Sequence, residues 1–254
     1  MEMTKRQTAF RADYRTRIAG AYNGPFHVAV IYAIGFTTIW VCAQRIHGAT
    51  FWDWLVVPVT VVGANLFEWF THRYVMHRPV KGLMSIYRRH TLAHHQFFTE
   101  REPTIDSLRD FRIVFFPPYA LIALLGMTLP AAAVLYLAGA QNACWLVLGT
   151  AAGLYLNYEL FHYCCHVKDD RLVRHLPLVN TIRRHHIAHH NQSIMMDTNM
   201  NLTYPFADWL FGTSDLDRGP LGHLFNGYDG RFVKTNLKRA RATLDEPGAG
   251  RVRA

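Results

Sequence analysis

The residues of this sequence with the clearest chemical meaning are histidines, of which the 254-residue chain has fifteen. Ten of them fall into four groups: His72 and His77; His90, His94 and His95; His162 and His166; His186, His189 and His190. Residues four apart on an α-helix project from one face, so the last three groups each contain a pair that could share one metal or bridge two. His72 and His77 are five apart, about 140° around an ideal helix, which favours different metals unless the helix ends between them.

Ten imidazole rings that lie close together need a bound group other than imidazole to satisfy their nitrogens. They could not all be protonated at close range, and neutral rings would leave nitrogens facing one another unpaired. A bound metal resolves both problems. Structural zinc usually takes four ligands, often with thiolates, so ten imidazoles predict two ions. Imidazole suits iron, zinc, copper and nickel, so the spacing alone does not choose among them.

The remaining histidines are interpreted as ordinary polar residues, namely His27, His47, His175 and His223. His185 is an exception, because the pair His185–His186 offers two registers for the last group. We favour His186 as the ligand and keep His185 as the alternative.

Several polar residues near the histidines are candidates for orienting them. Glu68 and Glu159 precede His72 and His162 by one helical turn, where each could accept a ring N–H or simply be solvated. The residues after the last group that could orient ligands or a water, or form turns and caps, are Asn191, Asp197 and Asn199. Cys164 and Cys165 lie between two proposed ligands, and packing is their favoured role.

The hydrophobic pattern places the histidines at the ends of membrane spans. Half of the residues are hydrophobic, yet the mean hydropathy is only +0.01, so strongly apolar and strongly polar segments alternate. We predict an all-α integral membrane protein with about four transmembrane helices, at 25–43, 54–70, 113–137 and 143–163, and a cytosolic helical cap that carries the di-metal site. A basic cytosolic segment, 1–24, precedes the single membrane-embedded domain, 25–213, and a polar tail, 214–254, follows it.

The distribution of charge predicts which side of the membrane carries the site. All 27 Lys and Arg residues except Arg45 lie in 1–24, 71–112 and 164–254, which this topology places on one side. The positive-inside rule makes that side cytosolic. A net charge of +9 could also indicate nucleic-acid binding, but the basic residues follow the span ends, so we predict no nucleic-acid partner. We expect a multi-pass protein of the bacterial inner membrane, or of the endoplasmic reticulum if eukaryotic.

The histidine motifs resemble a known family. The segments His-Arg-Tyr-Val-Met-His (72–77), His-Thr-Leu-Ala-His-His (90–95), His-Tyr-Cys-Cys-His (162–166) and His-Ile-Ala-His-His (186–190) resemble the boxes of the fatty acid hydroxylase and sterol desaturase superfamily of integral-membrane di-iron enzymes. The ending Asp-Trp-Leu-Phe-Gly-Thr (208–213) is similar to an element that often follows its last box. The resemblance covers roughly residues 54 to 213.

This resemblance implies that the ten histidines hold two iron ions, with zinc possible in a purified sample. It also implies an O2-dependent oxidoreductase that hydroxylates a C–H bond of a lipid or fatty-acyl substrate. No His-Pro-Gly-Gly stretch typical of a fused cytochrome b5 domain is present, so we expect a separate electron donor of the ferredoxin or cytochrome b5 type. Such carriers are often acidic and would meet the basic cytosolic face.

Three other functions fit the same residues. A lipid desaturase would use the same oxidant and remove a second hydrogen. A membrane di-zinc transporter or hydrolase is the main non-oxidase alternative, although a transporter should place polar ligands within its spans and these lie at one end. A non-enzymatic metal-binding or scaffold protein is the third.

Overall fold

The computed structural model describes residues 3–237, so the part of the predicted polar tail from residue 238 onward lies outside the described residues. The described chain is helical, and no β-strand forms among residues 3–237, where one isolated antiparallel bridge joins Leu216 to Val233. The α-helices are α1 Lys5–Thr16, α2 Gly24–Ala43, α3 Phe51–Trp54, α4 Val56–Thr71, α5 Met84–Arg89, α6 His95–Phe97, α7 Phe111–Val114, α8 Pro118–Leu137, α9 Gln141–His166, α10 Val179–His189, α11 Phe206–Leu210 and α12 Pro220–Leu224. Two π-helical turns, His72–Met76 and His90–His94, and two 3-10 turns, Leu108–Asp110 and Val173–His175, complete the described helices.

Within the described part of the chain, three helical segments are long and apolar enough to cross a membrane, as judged by length and composition: Gly24–Ala43, Phe51–Met76 and Leu108–Leu137. Most of their surface is not covered by the rest of the chain. Trp40 and Leu137, for example, are 64% and 85% exposed. Apolar side chains that face outward over such lengths indicate a membrane protein.

The helix α9 is the centre of the bundle. It packs against α2, α4 and α8, and half of its 26 residues are buried. It approaches α2 closely at Gly35, where a Cβ atom would lie only 2.6 Å from the Leu156 side chain. Glycine at this position therefore permits the contact between the two helices. Neighbouring helices cover α9, so fewer of its side chains face outward and it is less apolar than the three outer segments. It can therefore carry the polar residues Glu159 and His162 in buried positions.

The third apolar segment is broken near its start. The helix α7 ends at Val114 and α8 begins at Pro118, with Pro117 in an extended conformation between them. A proline disfavours helical backbone at the residue before it, so the pair of prolines separates the two helices. The break leaves the Phe116 N–H free to donate outside the helix, and it donates to Glu159.

The short connectors at the end of the bundle away from the histidines contact each other. The Asn142 side chain accepts a hydrogen bond from the His47 N–H and donates one to the His47 carbonyl. Both connectors therefore lie at the same end of the bundle. The ends of α4 and α9 that carry His72 and His162 lie at the opposite end.

Candidate metal centre

The structure brings the predicted histidines together in two adjacent clusters. The first histidine group consists of His72, His77, His90, His95 and His189, and the second histidine group of His94, His166, His186 and His190. Within each group one ring nitrogen per residue lies within 4.8 Å of all the others, and every member is buried. The tenth histidine, His162, is next to the second group, with its Nε2 3.3 Å from the Nε2 of His94.

The shortest contacts within each group join Nε2 atoms. In the first group the Nε2 of His72 lies 2.8 Å from that of His90 and 3.1 Å from that of His77. In the second group the Nε2 of His186 lies 3.2 Å from that of His166 and 3.0 Å from that of His190. The two groups meet through the rings of His95 and His190, whose centroids are 4.4 Å apart.

Backbone carbonyls decide which ring nitrogen carries the proton. The Nδ1 atoms of His72 and His189 face the carbonyls of Met200 and Thr198, while those of His166 and His190 face the carbonyls of Pro103 and Phe98. A carbonyl only accepts, so Nδ1 must donate and the Nε2 of a neutral ring keeps a free lone pair. These lone pairs then point at one another within each group.

Burial keeps the rings neutral. Desolvation, with the neighbouring imidazoles adding to it, lowers the pKa of His77 to about 2, and desolvation lowers that of His190 to about 3. The same causes hold the pKa well below its ordinary value for His90, His94, His95, His186 and His189. Neutral rings with lone pairs converging at about 3 Å repel one another unless a cation lies between them. The donor sets therefore fit metal ions, which neutral imidazoles bind.

The π-helical turns explain why His72 and His77 lie in one group, although their spacing favoured different metals. A spacing of five was expected to separate His72 from His77 on an ideal α-helix, yet both belong to the first group. The chain is π-helical over His72–Met76, where the His77 N–H donates to the His72 carbonyl, five residues back. In a π-helix the extra residue per turn brings positions five apart onto one face.

The second π-helical turn, His90–His94, has the same effect. It places His95, and not His94, beside His90 in the first group, with their Nε2 atoms 3.1 Å apart. His94 belongs to the second group, so the four-residue pair His90 and His94 is divided between the two groups. The pair His186 and His190 remains within one group, as its α-helical spacing predicts.

Glu68 and Glu159 do not contact the histidines that follow them. Glu68 accepts hydrogen bonds from the N–H groups of Leu202 and Thr203 and from the Thr203 hydroxyl. Glu159 accepts from the Phe116 N–H, the donor released by the proline break. Neither glutamate therefore has the ring-orienting role that the sequence left open beside simple solvation. Backbone N–H groups occupy both carboxylates. The Met200 carbonyl orients the His72 ring instead, whereas the Nδ1 of His162 has no hydrogen-bond partner among the described residues.

The polar residues after the last histidine group also have partners other than the clustered rings. Asn191 accepts from the N–H and hydroxyl of Ser193, which is a turn role, and Asp197 pairs with Arg73 at the surface. Asn199, in a left-handed conformation with φ of 57°, donates to the His185 carbonyl. None of these side chains hydrogen-bonds a histidine ring among residues 3–237.

His185 and Asp208 form a buried pair beside the first group. The Nε2 of His185 donates to Asp208 at 2.9 Å, whereas the Nε2 of His186 faces the second group, so the geometry favours the His186 register. Asp208 also accepts the N–H groups of Met200 and Asn201. Burial would raise the pKa of Asp208, but hydrogen bonds from His185 and Thr213 outweigh it and lower the pKa. An ionised Asp208 thus fixes the loop that presents the Met200 carbonyl to His72.

The sequence analysis did not identify the residues that orient the rings. Carbonyl oxygens of Phe98, Pro103, Thr198 and Met200 have no signature in a sequence, because every residue has such a group. Among the other histidines, His27 bonds the Tyr22 hydroxyl and the Phe116 carbonyl, as expected of an ordinary polar residue. Cys165 is buried in an apolar cluster with Phe161 and Ile182.

Comparison with known proteins places these residues in a family. The family model described as fatty acid hydroxylase matches residues 57–213, which is more than half of the chain and includes every proposed ligand. No curated protein and no solved structure matches the sequence significantly.

Proposed function

The chain belongs to the fatty acid hydroxylase family, and on this premise we propose that it is a membrane-bound, non-haem di-iron oxygenase that hydroxylates a C–H bond of a lipid or fatty-acyl substrate. The observation that carries the proposal is the pair of adjacent, buried histidine groups with converging Nε2 atoms. The first group would hold one ion and the second group, together with His162, the other. Bound iron would supply O2 activation and the oxidant for C–H cleavage, with electrons from an external donor.

The protein's own contribution is to position the rings and to exclude water. Carbonyl acceptors on Nδ1 hold the rings of His72, His166, His189 and His190 in one tautomer, so the Nε2 lone pairs of these four face the site without rearrangement. Complete burial of His77, His95, His166, His189 and His190 keeps the site dry. A dry, preorganised site protects a reactive oxidant from side reactions with solvent.

The position of the site supports a lipid substrate. His72 and His162 lie at the ends of α4 and α9, where the apolar surface of the bundle gives way to polar segments. An acyl chain lying along these helices would bring a methylene group toward the histidine groups. The basic residues that flank the site, such as Arg73 and Arg78, would meet an acidic electron donor of the ferredoxin or cytochrome b5 type.

Lipid mass spectrometry tests the proposal. We compare the lipids of cells that express the chain with those of cells without it and with cells that express His94→Ala. We expect a new species heavier by one oxygen atom that is absent from the variant, because His94 belongs to the second group and is also the member next to His162. The control His47→Ala should retain the product, since His47 makes only backbone contacts with Asn142 in the connector.

Other outcomes of this experiment favour other functions. A product lighter by two hydrogen atoms would show that the chain desaturates its substrate and does not hydroxylate it. No product, together with purified protein that holds two zinc ions and consumes no O2 with iron and reductant, would favour a di-zinc transporter or hydrolase. O2 consumption that requires both iron and reductant would exclude the zinc and scaffold functions.

A further inference from the structure

The two histidine groups are supported by two different stretches of backbone. The loop that contains Thr198 and Met200 orients His189 and His72 of the first group. The segment 97–106 supports the second group, because the Phe98 carbonyl accepts from His190 and the Pro103 carbonyl accepts from His166. The Phe98 ring also stacks on the His166 ring, with centroids 4.1 Å apart and planes at 24°.

The segment 97–106 has little regular structure of its own and is fastened by α1. Arg11, which is 1% exposed, donates from Nε to the Phe97 carbonyl at 2.8 Å. Its two terminal nitrogens donate to the Glu102 carbonyl at 2.9 Å and to Asp106 at 2.8 Å. The guanidinium also lies over the Phe97 ring, 4.7 Å from its centroid. One side chain thus joins three points of the segment that supports His190 and His166.

Two further residues of α1 reinforce these contacts. Gln7 donates to the carbonyls of Phe97 and Glu102, at 3.0 and 2.9 Å. Arg15 forms a two-pronged ion pair with Asp110, which lies just beyond the segment. Gln7, Arg11 and Arg15 are spaced four positions apart, so they lie on one face of α1. That face contacts the segment 97–106 and Asp110. Arg17, which follows the last residue of α1, has exposed Asp13 as its one ion-pair partner among residues 3–237.

From these contacts we propose that Arg11 is a positioning residue for the second histidine group, acting through the backbone of segment 97–106. The inference rests on the proposed metal centre and extends it to α1, which lies outside the residues matched by the family model. Without Arg11, the Phe97 carbonyl keeps the Gln7 amide, and the Glu102 carbonyl keeps the Gln7 amide and the Thr99 N–H. These contacts tie the segment less firmly to α1, so the Phe98 and Pro103 carbonyls lose their fixed position. The first group, whose carbonyls belong to another loop, keeps its support.

The contacts of Arg11 require the planar guanidinium group of arginine. Its donors point in fixed directions toward two carbonyls and a carboxylate at once, whereas a lysine offers a single charged nitrogen. A buried carbonyl that loses one of its donors is less well satisfied, so the segment should shift toward water in a shorter or neutral variant. A lysine should therefore restore the second group only in part.

Cobalt(II) titration of the purified, metal-free full chain tests the inference. We follow the number of ions bound per chain, their dissociation constants and the visible absorption of each site, for the wild type, Arg11→Gln and the control Arg17→Gln. We expect two ions in the wild type and in the control. In Arg11→Gln one site should keep its affinity and the other should bind about tenfold more weakly, at the low end of the range for partners of ligating histidines.

Reference variants identify the weakened site. His186→Ala removes a ligand of the second group and His72→Ala a ligand of the first, so each shows which absorption bands belong to which group. The bands weakened in Arg11→Gln should be those lost in His186→Ala. The complementary variant Asp208→Asn, which loosens the loop carrying Met200, should weaken the bands lost in His72→Ala.

Unchanged affinities in Arg11→Gln, or equal weakening of both sites, would overturn the inference and leave the proposed function intact. Wild-type protein that binds no cobalt(II) would overturn the metal centre itself and the inference with it. If Arg11→Gln aggregates on size-exclusion chromatography, Arg11→Lys is titrated in its place. Selective weakening of the second site in that variant supports the inference, and two wild-type affinities refute it.

Discussion

At the scale of single residues, four histidines of this centre make two different interactions with their two ring nitrogens: His72, His166, His189 and His190. In His190, for example, Nδ1 donates to the Phe98 carbonyl while Nε2 faces His186. The acceptor is a backbone atom, so the ring direction depends on the path of a loop and not on a neighbouring acidic side chain. Glu68 and Glu159, which the sequence offered as possible ring acceptors because of their spacing, accept backbone N–H groups instead.

The lowered pKa values predict how the metal-free protein responds to acid. In the unfolded chain these imidazoles titrate near their ordinary value of 6.5, whereas in the folded chain the pKa of His77 is about 2 and that of His190 about 3. Between these values the unfolded chain binds protons that the folded chain does not. Stability is therefore fully present above pH 6.5 and is lost as the pH falls below it.

Thermal unfolding of metal-free protein in detergent between pH 7.5 and about 5.5 measures this loss. Even one such histidine lowers the free energy of unfolding by about 1.4 kcal/mol per pH unit, which corresponds to about 3 °C in the apparent Tm for a chain of this size. We expect the fall to begin near pH 6.5. A Tm independent of pH over this range would show that the rings are not held neutral.

At the scale of the element, the two π-helical turns set the arrangement of the clusters. Each adds one residue to a turn, and together they bring His77 to His72 and His95 to His90. The turns also contact each other, because the Thr91 hydroxyl of the second turn donates to the Met76 carbonyl of the first at 2.7 Å. The same hydroxyl lies 3.3 Å from the Nδ1 of His77 and can accept its proton.

The substitution Thr91→Val tests this link at nearly constant volume. It should leave the Met76 carbonyl and the His77 Nδ1 without a partner, destabilise the protein by about 1–3 kcal/mol and weaken metal binding at the first group by about tenfold. Metal titration and thermal unfolding measure both effects. Thr91→Ser, which keeps the hydroxyl, should resemble the wild type. Equal behaviour of the valine and serine variants would contradict the role of the hydroxyl.

At the scale of the whole molecule, a central helix is surrounded by apolar helices that face outward. The three segments with spanning character surround α9, whose buried face carries His162 and His166. We propose that α9 is the fourth span and that the histidine end of the bundle is cytosolic. The two connectors joined by His47 and Asn142 would then be extracytosolic.

A reporter fused after Asn142 should read the extracytosolic side, because three spans would precede it. A second fusion after Lys168, just beyond α9, should read the cytosolic side. Each fusion is made with two reporters, one active only outside the cytosol and one active only inside it. Either location then gives a positive signal from one of the two reporters. A cytosolic signal after Asn142 would contradict the four-span topology.

The sequence by itself determined the class of protein and predicted which histidines form the candidate metal centre. Clustered histidines and long apolar stretches are recorded in residue types and their order, so the helical membrane class and the family were predictable, and the family match confirmed the resemblance. The division of the histidines into two groups was decided only by tertiary structure. It depends on two π-helical turns and on loop carbonyls that α1 and Asp208 fix, and such contacts join residues as far apart in sequence as Arg11 and Phe97.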